Sequence, residues 1–389
     1  MRHLLPLVAI VCAACLEAPP PTLEDRFRRS TIEAAPGLDL AVVETGDSAG
    51  EAVIFLHGYT DTGRSFHGTM HALRRLRPDL RLIALDQRGH GASSMPDSAT
   101  CAPAPERCFR PADFAADVLA LMEQKRIPRA HLVGHSMGSL VAQELALTHP
   151  DRVRRLVLIG SSAGTAGHPA VEEFFLAGLI EGPWRDALVR QGRSFPGESY
   201  RSLPSDADSA ALSWLLANFV VEPLADSGLL ATIADETVRI PIGTWLGVAR
   251  ALSTYDNTER LGSLAVPTLV IWGSQDNLFT EADQIRLREA LDRAVERCRM
   301  GYVWKQYGVK PLPESGQPAD DVAHNVQWGV PDAVAADLAA YLREDGMPTE
   351  DLPYGTGQGP AAVRTAPGKA RLLARMPAEC REGPAANES

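Results

Sequence analysis

The sequence predicts an α/β protein with a doubly wound, mostly parallel sheet and an inserted helical cap. Short and almost continuously apolar runs such as VIFLH, RLIALD and LVLIG are typical of strands buried on both faces of a parallel sheet. Helix-like stretches alternate with these runs, which implies right-handed βαβ crossovers. Residues 163–264 then break the alternation with helical patches and no convincing strand.

The expected elements follow one another in a regular order. The strands are expected at 41–45, 53–57, 80–87, 131–136, 153–161 and 266–273, with a weaker one at 302–307. The helices are expected at 65–76, 111–125, 137–149 and 281–297. Residues 31–162 and 265–343 form the predicted core, and residues 163–264 form the predicted cap, because a single crossover does not need so long a connection. Residues 344–389 are rich in Pro and Gly and are predicted to be irregular.

The first residues, MRHLLPLVAIVCAAC, join a basic start to a short apolar run and then to small residues. The run is too short to cross a bilayer of about 30 Å and is typical of a signal peptide. Residues 1–15 are therefore predicted to direct export, to the periplasm or out of the cell. Cys15 stands where a bacterial lipobox has its lipidated cysteine, and a lipid there would anchor the protein to a membrane; simple cleavage near Ala14 is the alternative. Residues 16–30, with three consecutive prolines, are predicted to be a tether.

The cysteines downstream of this leader are even in number, which suggests disulfides in an exported protein. Cys101 and Cys108 flank a short proline-containing loop, so we expect them to pair. Cys298 and Cys380 would then pair by elimination. Free buried thiols are the alternative reading.

The formal net charge of −11 argues against a nucleic-acid partner, because no basic surplus exists to neutralise phosphates. The same balance says nothing about the oligomeric state.

The strongest functional signal is GHSMG at 134–138, which follows a strand-like run and opens a helix. In that context the pattern predicts a tight turn that exposes the hydroxyl of Ser136 as a nucleophile. A serine nucleophile needs a base and an acid that orients the base. His324 is the one well-placed histidine downstream. Asp276 follows the strand that ends near Gly273 and is the candidate acid, although its simplest alternative role is that of a turn former.

Acyl transfer also needs backbone N–H groups that face the developing oxyanion. We expect these donors at Met137, directly after the nucleophile, and at Tyr59 in the loop after the strand VIFLH. His57 and the segment DQRGHG at 86–91 contain residue types that can be catalytic. Their positions at sharp turns favour a structural role.

HGYTDTGRSF, DQRGHG, GHSMG, VPTLVIWGSQD and His324 occur in one order, and together they resemble the α/β-hydrolase superfamily in its esterase, lipase and aryl-hydrolase branch. The resemblance implies the triad Ser136, Asp276 and His324, with no metal and no organic cofactor. Two features depart from the family pattern. Ala323 stands where Gly usually precedes the catalytic histidine, and the stretch before His324 is longer than usual.

A serine at the elbow argues against epoxide hydrolases and haloalkane dehalogenases, which resemble this fold but use Asp there. We therefore expect hydrolysis of a small carboxylic ester through an acyl-enzyme. Alternatives are an aminopeptidase, a carbon–carbon bond hydrolase or a non-catalytic binding module on the same scaffold. Several apolar cap residues are expected either to line the substrate pocket or to pack the cap on itself, namely Phe174, Phe175, Trp214, Leu215, Phe219 and Trp245.

Overall fold

The computed structural model describes residues 26–208, 213, 222, 224–297, 299–308, 322–343 and 372–375. The predicted leader at 1–15 and most of the predicted tether lie outside these residues. So do Cys298 and Cys380, whose predicted pairing therefore stays a prediction.

Within the described residues the sheet has nine strands, and the predicted α/β fold with a mostly parallel sheet is confirmed. The strands are β1 (Arg28–Ala35), β2 (Leu38–Gly46), β3 (Glu51–Leu56), β4 (Leu80–Leu85), β5 (Ala130–His135), β6 (Val153–Ile159), β7 (Thr268–Gly273), β8 (Tyr302–Tyr307) and β9 (Leu372–Arg375). Their order is β1-β2-β4-β3-β5-β6-β7-β8-β9. Neighbours from β4 to β8 pair in parallel, whereas β1, β2 and β9 pair antiparallel at the two edges.

The strand order reverses at β3, which lies between β4 and β5. Ligands of doubly wound sheets bind at such a switch point, because the loops leaving adjacent strands diverge there and open a crevice. The loop after β3 and the turn after β5 meet at this edge. They carry the HGYTD and GHSMG motifs.

Two apolar clusters cover the two faces of the sheet. Along β3, Ile54 and Leu56 enter one cluster while Val53 and Phe55 enter the other. This alternation follows from the two-residue period of a strand. It explains why the sequence of a central strand is apolar at every position.

Helices pack on both faces. They are α1 (His67–Leu76), α2 (Ser98–Cys101), α3 (Pro111–Gln124), α4 (Met137–Thr148), α5 (Arg185–Arg190), α6 (Pro204–Ala207), α7 (Ser227–Thr237), α8 (Ile242–Leu252), α9 (Glu281–Glu296), α10 (Val326–Gly329) and α11 (Pro331–Tyr341), together with a π-helix at Ala170–Trp184. Within the described ranges, no helix is both long and apolar enough to cross a membrane.

The inserted segment, residues 163–264, connects β6 to β7 and in its described part is helical. It contains the π-helix and α5 to α8. Nearby in space, Cys101 and Cys108 form the expected disulfide. Phe109 directly follows the loop that this disulfide closes, and its ring packs against Gly247 of α8.

Two strands differ from the sequence prediction. β1 begins inside the predicted tether, and β9 lies inside the C-terminal stretch predicted to be irregular. β1 is an edge strand with mostly exposed side chains, so it lacks the apolar run that marks the central strands. β9 has only four residues. It pairs through its backbone with β8, which is distant from it in sequence.

Candidate active site

Ser136 lies in the turn between β5 and α4, with φ 51° and ψ −120°. This positive φ is unfavourable for residues other than glycine, and it costs about 1–3 kcal/mol. Neighbouring groups hold the turn in place: Ser136 N donates to Ile159 O over 3.0 Å, and Ser139 Oγ donates to Ser136 O over 2.6 Å. The serine is therefore fixed at the carboxyl end of β5, as the GHSMG pattern predicts.

Glycines on both sides of Ser136 let three elements meet closely. A Cβ on Gly138 would lie 2.1 Å from Leu56 O of β3, and one on Gly134 would lie 2.3 Å from Gly138 O. Both distances are shorter than the non-bonded contacts that real Cβ atoms make. The two glycines are thus needed for α4 to begin directly against the sheet.

Asp276 and His324 come together at the same edge of the sheet. His324 Nδ1 lies 2.9 Å from Asp276 Oδ2. The other carboxylate oxygen of Asp276 accepts hydrogen bonds from the backbone N–H groups of Leu278 and Phe279, each over 2.9 Å. The orientation of this carboxylate is therefore fixed independently of the histidine.

The partner of His324 sets its tautomer. An ionised carboxylate can only accept, so Nδ1 carries the proton and the neutral ring keeps a lone pair on Nε2. Nε2 is buried and has no hydrogen-bond partner among the described residues. Burial alone lowers the pKa of His324, but the charge and hydrogen bond of Asp276 outweigh it and raise this pKa above its ordinary value.

Ser136 and His324 line one cavity, with an empty volume of about 600 Å³ that is partly open to solvent. Most of the side chains around it are apolar. The inserted segment supplies Val171, Phe175, Ala249 and Leu252. No Arg or Lys occurs among the described residues that line it.

Helix α8 of the inserted segment has two different faces. On one face, a Cβ on Gly243 would lie 2.3 Å from Tyr200 Cδ2, and a Cβ on Gly247 would lie 2.4 Å from Phe109 Cδ2. These glycines permit close packing against neighbouring elements. The opposite face presents Ala249 and Leu252 to the cavity.

The two predicted oxyanion donors, Tyr59 and Met137, also line the cavity. Met137 is the first residue of α4, so its N–H has no acceptor within the helix. The backbone at Tyr59 is held by His90, whose Nε2 lies 2.7 Å from Tyr59 O. The phenol of Tyr59 donates to the carbonyl of Trp245 and thereby ties this loop to α8.

His57 and the DQRGHG segment make the contacts expected of structural residues. His57 Nε2 accepts from Gln87 N over 2.9 Å, and burial lowers the pKa of His57 to about 4. Asp86 accepts from Gly63 N over 2.8 Å. Arg88 pairs with Asp117 over 2.6 Å. The first two bonds hold the loop that carries Tyr59, and the third holds the DQRGHG segment against α3.

The two departures from the family pattern have different outcomes. Ala323 does not have a positive φ, so the position needs no glycine. Most of the long stretch before His324, residues 309–321, lies outside the described residues. In this fold an acid can also follow the preceding strand, β6, but residues 160–162 are Gly-Ser-Ser and contain no carboxylate. A Cβ on Gly160 would lie 2.9 Å from His324 O, so this turn packs tightly against the histidine.

Of the six apolar cap residues, Phe175 lines the cavity and Trp245 packs beside it in contact with Tyr59. Phe174 contacts the ring of Phe175. The predictions for Trp214, Leu215 and Phe219 fall outside the described residues.

Sequence reasoning missed three polar residues around His324. His135 Nε2 lies 3.2 Å from His324 O, and His135 Nδ1 lies 3.5 Å from Asp61 Oδ2. Glu222 binds the backbone on both sides of His324. His135 and Asp61 lie within motifs that were recognised, but Glu222 lies in the inserted segment and carried no signal.

The raised pKa of His324 predicts a pH profile. The base must be neutral to accept a proton, so kcat/KM for an ester should fall as the pH drops below this pKa, which lies above the ordinary value of 6.5. Initial rates with p-nitrophenyl acetate between about pH 5 and about pH 9 would measure it. A rate that does not change across that range would contradict the assignment of His324 as the base.

Three comparisons show which known proteins this chain resembles. A family model described as alpha/beta hydrolase fold matches residues 51–302. An epoxide hydrolase from Caballeronia sordidicola is 27% identical over 341 residues, 80% of this chain and 92% of the relative. A 2-hydroxy-6-oxononadienedioate/2-hydroxy-6-oxononatrienedioate hydrolase from Paraburkholderia xenovorans is 29% identical over 273 residues, 66% of this chain and 82% of the relative. The solved structure of an esterase from Exiguobacterium antarcticum aligns with a TM-score of 0.59 and 19% identity over 80% of this chain and 98% of that one.

Proposed function

Because the chain belongs to the alpha/beta hydrolase fold family, we propose that it is a serine hydrolase that cleaves small, uncharged carboxylic esters. One observation carries the proposal: Ser136 and a histidine hydrogen-bonded to Asp276 line the same apolar cavity. The family match supports the hydrolase class, and the geometry of the site supports the proposed ester chemistry.

In the proposed reaction, Ser136 Oγ attacks the ester carbonyl while His324 Nε2 accepts its proton. The N–H groups of Tyr59 and Met137 donate to the oxyanion of the tetrahedral intermediate. Collapse of this intermediate releases the alcohol, which takes its proton from His324, and leaves an acyl group on Ser136. Water activated by His324 then releases the acid. Asp276 stabilises the imidazolium that forms in each half of the reaction.

The relatives suggest other substrates, and two features of this chain disfavour them. Epoxide hydrolases of this fold use an aspartate at the elbow, where this chain has Ser136. The Paraburkholderia relative is named for a dioate, which carries two carboxylates. Burying a carboxylate without a partner is costly, and the described cavity lining offers Asp61 but no Arg or Lys.

A matched pair of esters tests the substrate class. p-Nitrophenyl butyrate and p-nitrophenyl hemisuccinate have acyl chains of the same length, but only the second ends in a carboxylate. We expect kcat/KM for the butyrate to be higher by about 10-fold or more, because the carboxylate loses its hydration without gaining a cation. Faster hydrolysis of the hemisuccinate would refute the proposal, and faster cleavage of the matching p-nitroanilide would favour an amidase.

We also propose that the protein is exported. The leader pattern supports this proposal, and so does the Cys101–Cys108 disulfide, because such bonds persist in oxidising compartments. Mass spectrometry of the mature N-terminus would distinguish a lipid on Cys15 from simple cleavage near Ala14.

A further inference from the structure

Glu222 lies in the inserted segment and is 1% exposed, yet it contacts the backbone that carries His324. Its Oε1 accepts from Ala323 N over 2.9 Å, and its Oε2 accepts from Asn325 N over 3.2 Å. A Cβ on Gly329 would lie 3.1 Å from the same carboxylate, so the glycine leaves the space that Glu222 occupies.

The peptide groups that Glu222 binds lie outside any regular element. Residues 322–325 belong to neither a strand nor a helix, so no ladder satisfies their N–H groups. From the other side, His324 O lies 3.2 Å from His135 Nε2, and His135 in turn lies near Asp61. Three consecutive residues of this segment are thus held from two directions.

The charge of Glu222 also acts on the imidazole. Burial raises the pKa of Glu222 to about 7, although the two backbone N–H groups and the nearby His324 oppose this rise. In the other direction, the negative charges of Asp276, Asp61 and Glu222 all raise the pKa of His324. Of the two titratable groups beside it, His324 lowers the pKa of Glu222 and Asp276 raises it.

We propose that Glu222 is a positioning residue for His324: it fixes the peptide groups on both sides of the histidine and so couples the inserted segment to the base. The proposal rests on the proposed function, in which His324 is that base.

Glu222→Gln tests the proposal. Glutamine keeps the size of the side chain but replaces one acceptor oxygen by an NH₂ group. That NH₂ group then faces one of the two backbone N–H groups, which loses its acceptor. We expect kcat for p-nitrophenyl butyrate to fall about 10-fold or more, with KM changed by less than about twofold, because the variant affects the base and not the cavity wall. We also expect the pKa of His324 to decrease.

The pKa of His324 can be measured without turnover. The proton between His324 Nδ1 and Asp276 should give a low-field NMR signal, assigned by its loss in His324→Ala. In Glu222→Gln the midpoint of its pH titration should lie below that of the unchanged protein. If the unchanged protein hydrolyses no ester, the proposed function fails, whereas this titration still decides whether Glu222 acts on His324.

Glu236→Gln is the matched control. Glu236 also joins the inserted segment to the core, through Arg64 over 2.6 Å and Thr62 over 2.7 Å, but it does not touch the His324 segment. We expect it to leave kcat and the His324 titration unchanged. Glu222→Asp keeps the charge and should keep the titration midpoint even where kcat falls, which covers the case in which Glu222→Gln does not fold. Equal titrations and equal kcat in Glu222→Gln and the unchanged protein would overturn the proposal.

Discussion

Ser136→Ala is expected to lower kcat for ester hydrolysis by about 10⁶-fold and to abolish labelling by a fluorophosphonate probe. The variant removes the only atom that forms the covalent bond in the proposed reaction. It should not disturb the fold, because alanine meets the same backbone requirement at φ 51° and Ser136 N keeps its bond to Ile159 O.

Ser162→Ala is a suitable control for this experiment. Ser162 is buried near the same edge of the sheet and donates to Gly164 O over 3.0 Å, but it does not line the cavity. Labelling should persist in this variant. Labelling of Ser136→Ala at the unchanged rate would show that another residue reacts with the probe, and the serine hydrolase proposal would fail.

Asp276→Asn is expected to lower kcat by about 10⁴-fold with little change in KM. Two backbone N–H groups, of Leu278 and Phe279, point at Oδ1, so the oxygen of the asparagine must stay with them. Its NH₂ group then faces His324 Nδ1. An amide N–H can only donate, so the ring must accept at Nδ1 and carry its proton on Nε2. That tautomer cannot take a proton from Ser136.

The rate of fluorophosphonate labelling should fall together with kcat in Asp276→Asn. Asp283→Asn provides the comparison, because Asp283 is also largely buried and accepts from Thr280 N over 2.9 Å at the start of α9, but it does not line the cavity. It should reduce thermal stability while labelling continues. If Asp276→Asn kept more than about one tenth of the activity, the acid would have to be another group, and Asp61 would be the first to examine.

The sequence predicted the central strands well because burial on both faces makes every residue of such a strand apolar. The strands β3 and β4 are examples, with their alternate residues in the two clusters on either side of the sheet. The edge strands β1 and β9 were missed for the opposite reason. Their stability comes from backbone pairing with a strand that is already in place, which leaves little trace in side-chain pattern.

The candidate site shows the same division. Ser136, Asp276 and His324 could be chosen because each follows or precedes a recognisable element and because the fold orders them along the chain. Glu222 could not be chosen, since its bonds reach residues 101 and 103 positions away and depend on how the inserted segment folds back. A carboxylate that directly follows an apolar run, as Glu222 does in NFVVE, has no local feature that distinguishes it from a surface residue.

Helix α8 has a consequence for how this enzyme can diversify. Gly243 and Gly247 permit the close approach of the helix to its supports, and a larger residue there would collide with Tyr200 or Phe109. Ala249 and Leu252, on the opposite side, border the cavity. Substitutions at these two positions can enlarge or reduce the space for substrate while the scaffold and the reacting groups stay in place. Selection for a new substrate can therefore act through the size of the side chains on one face of this helix.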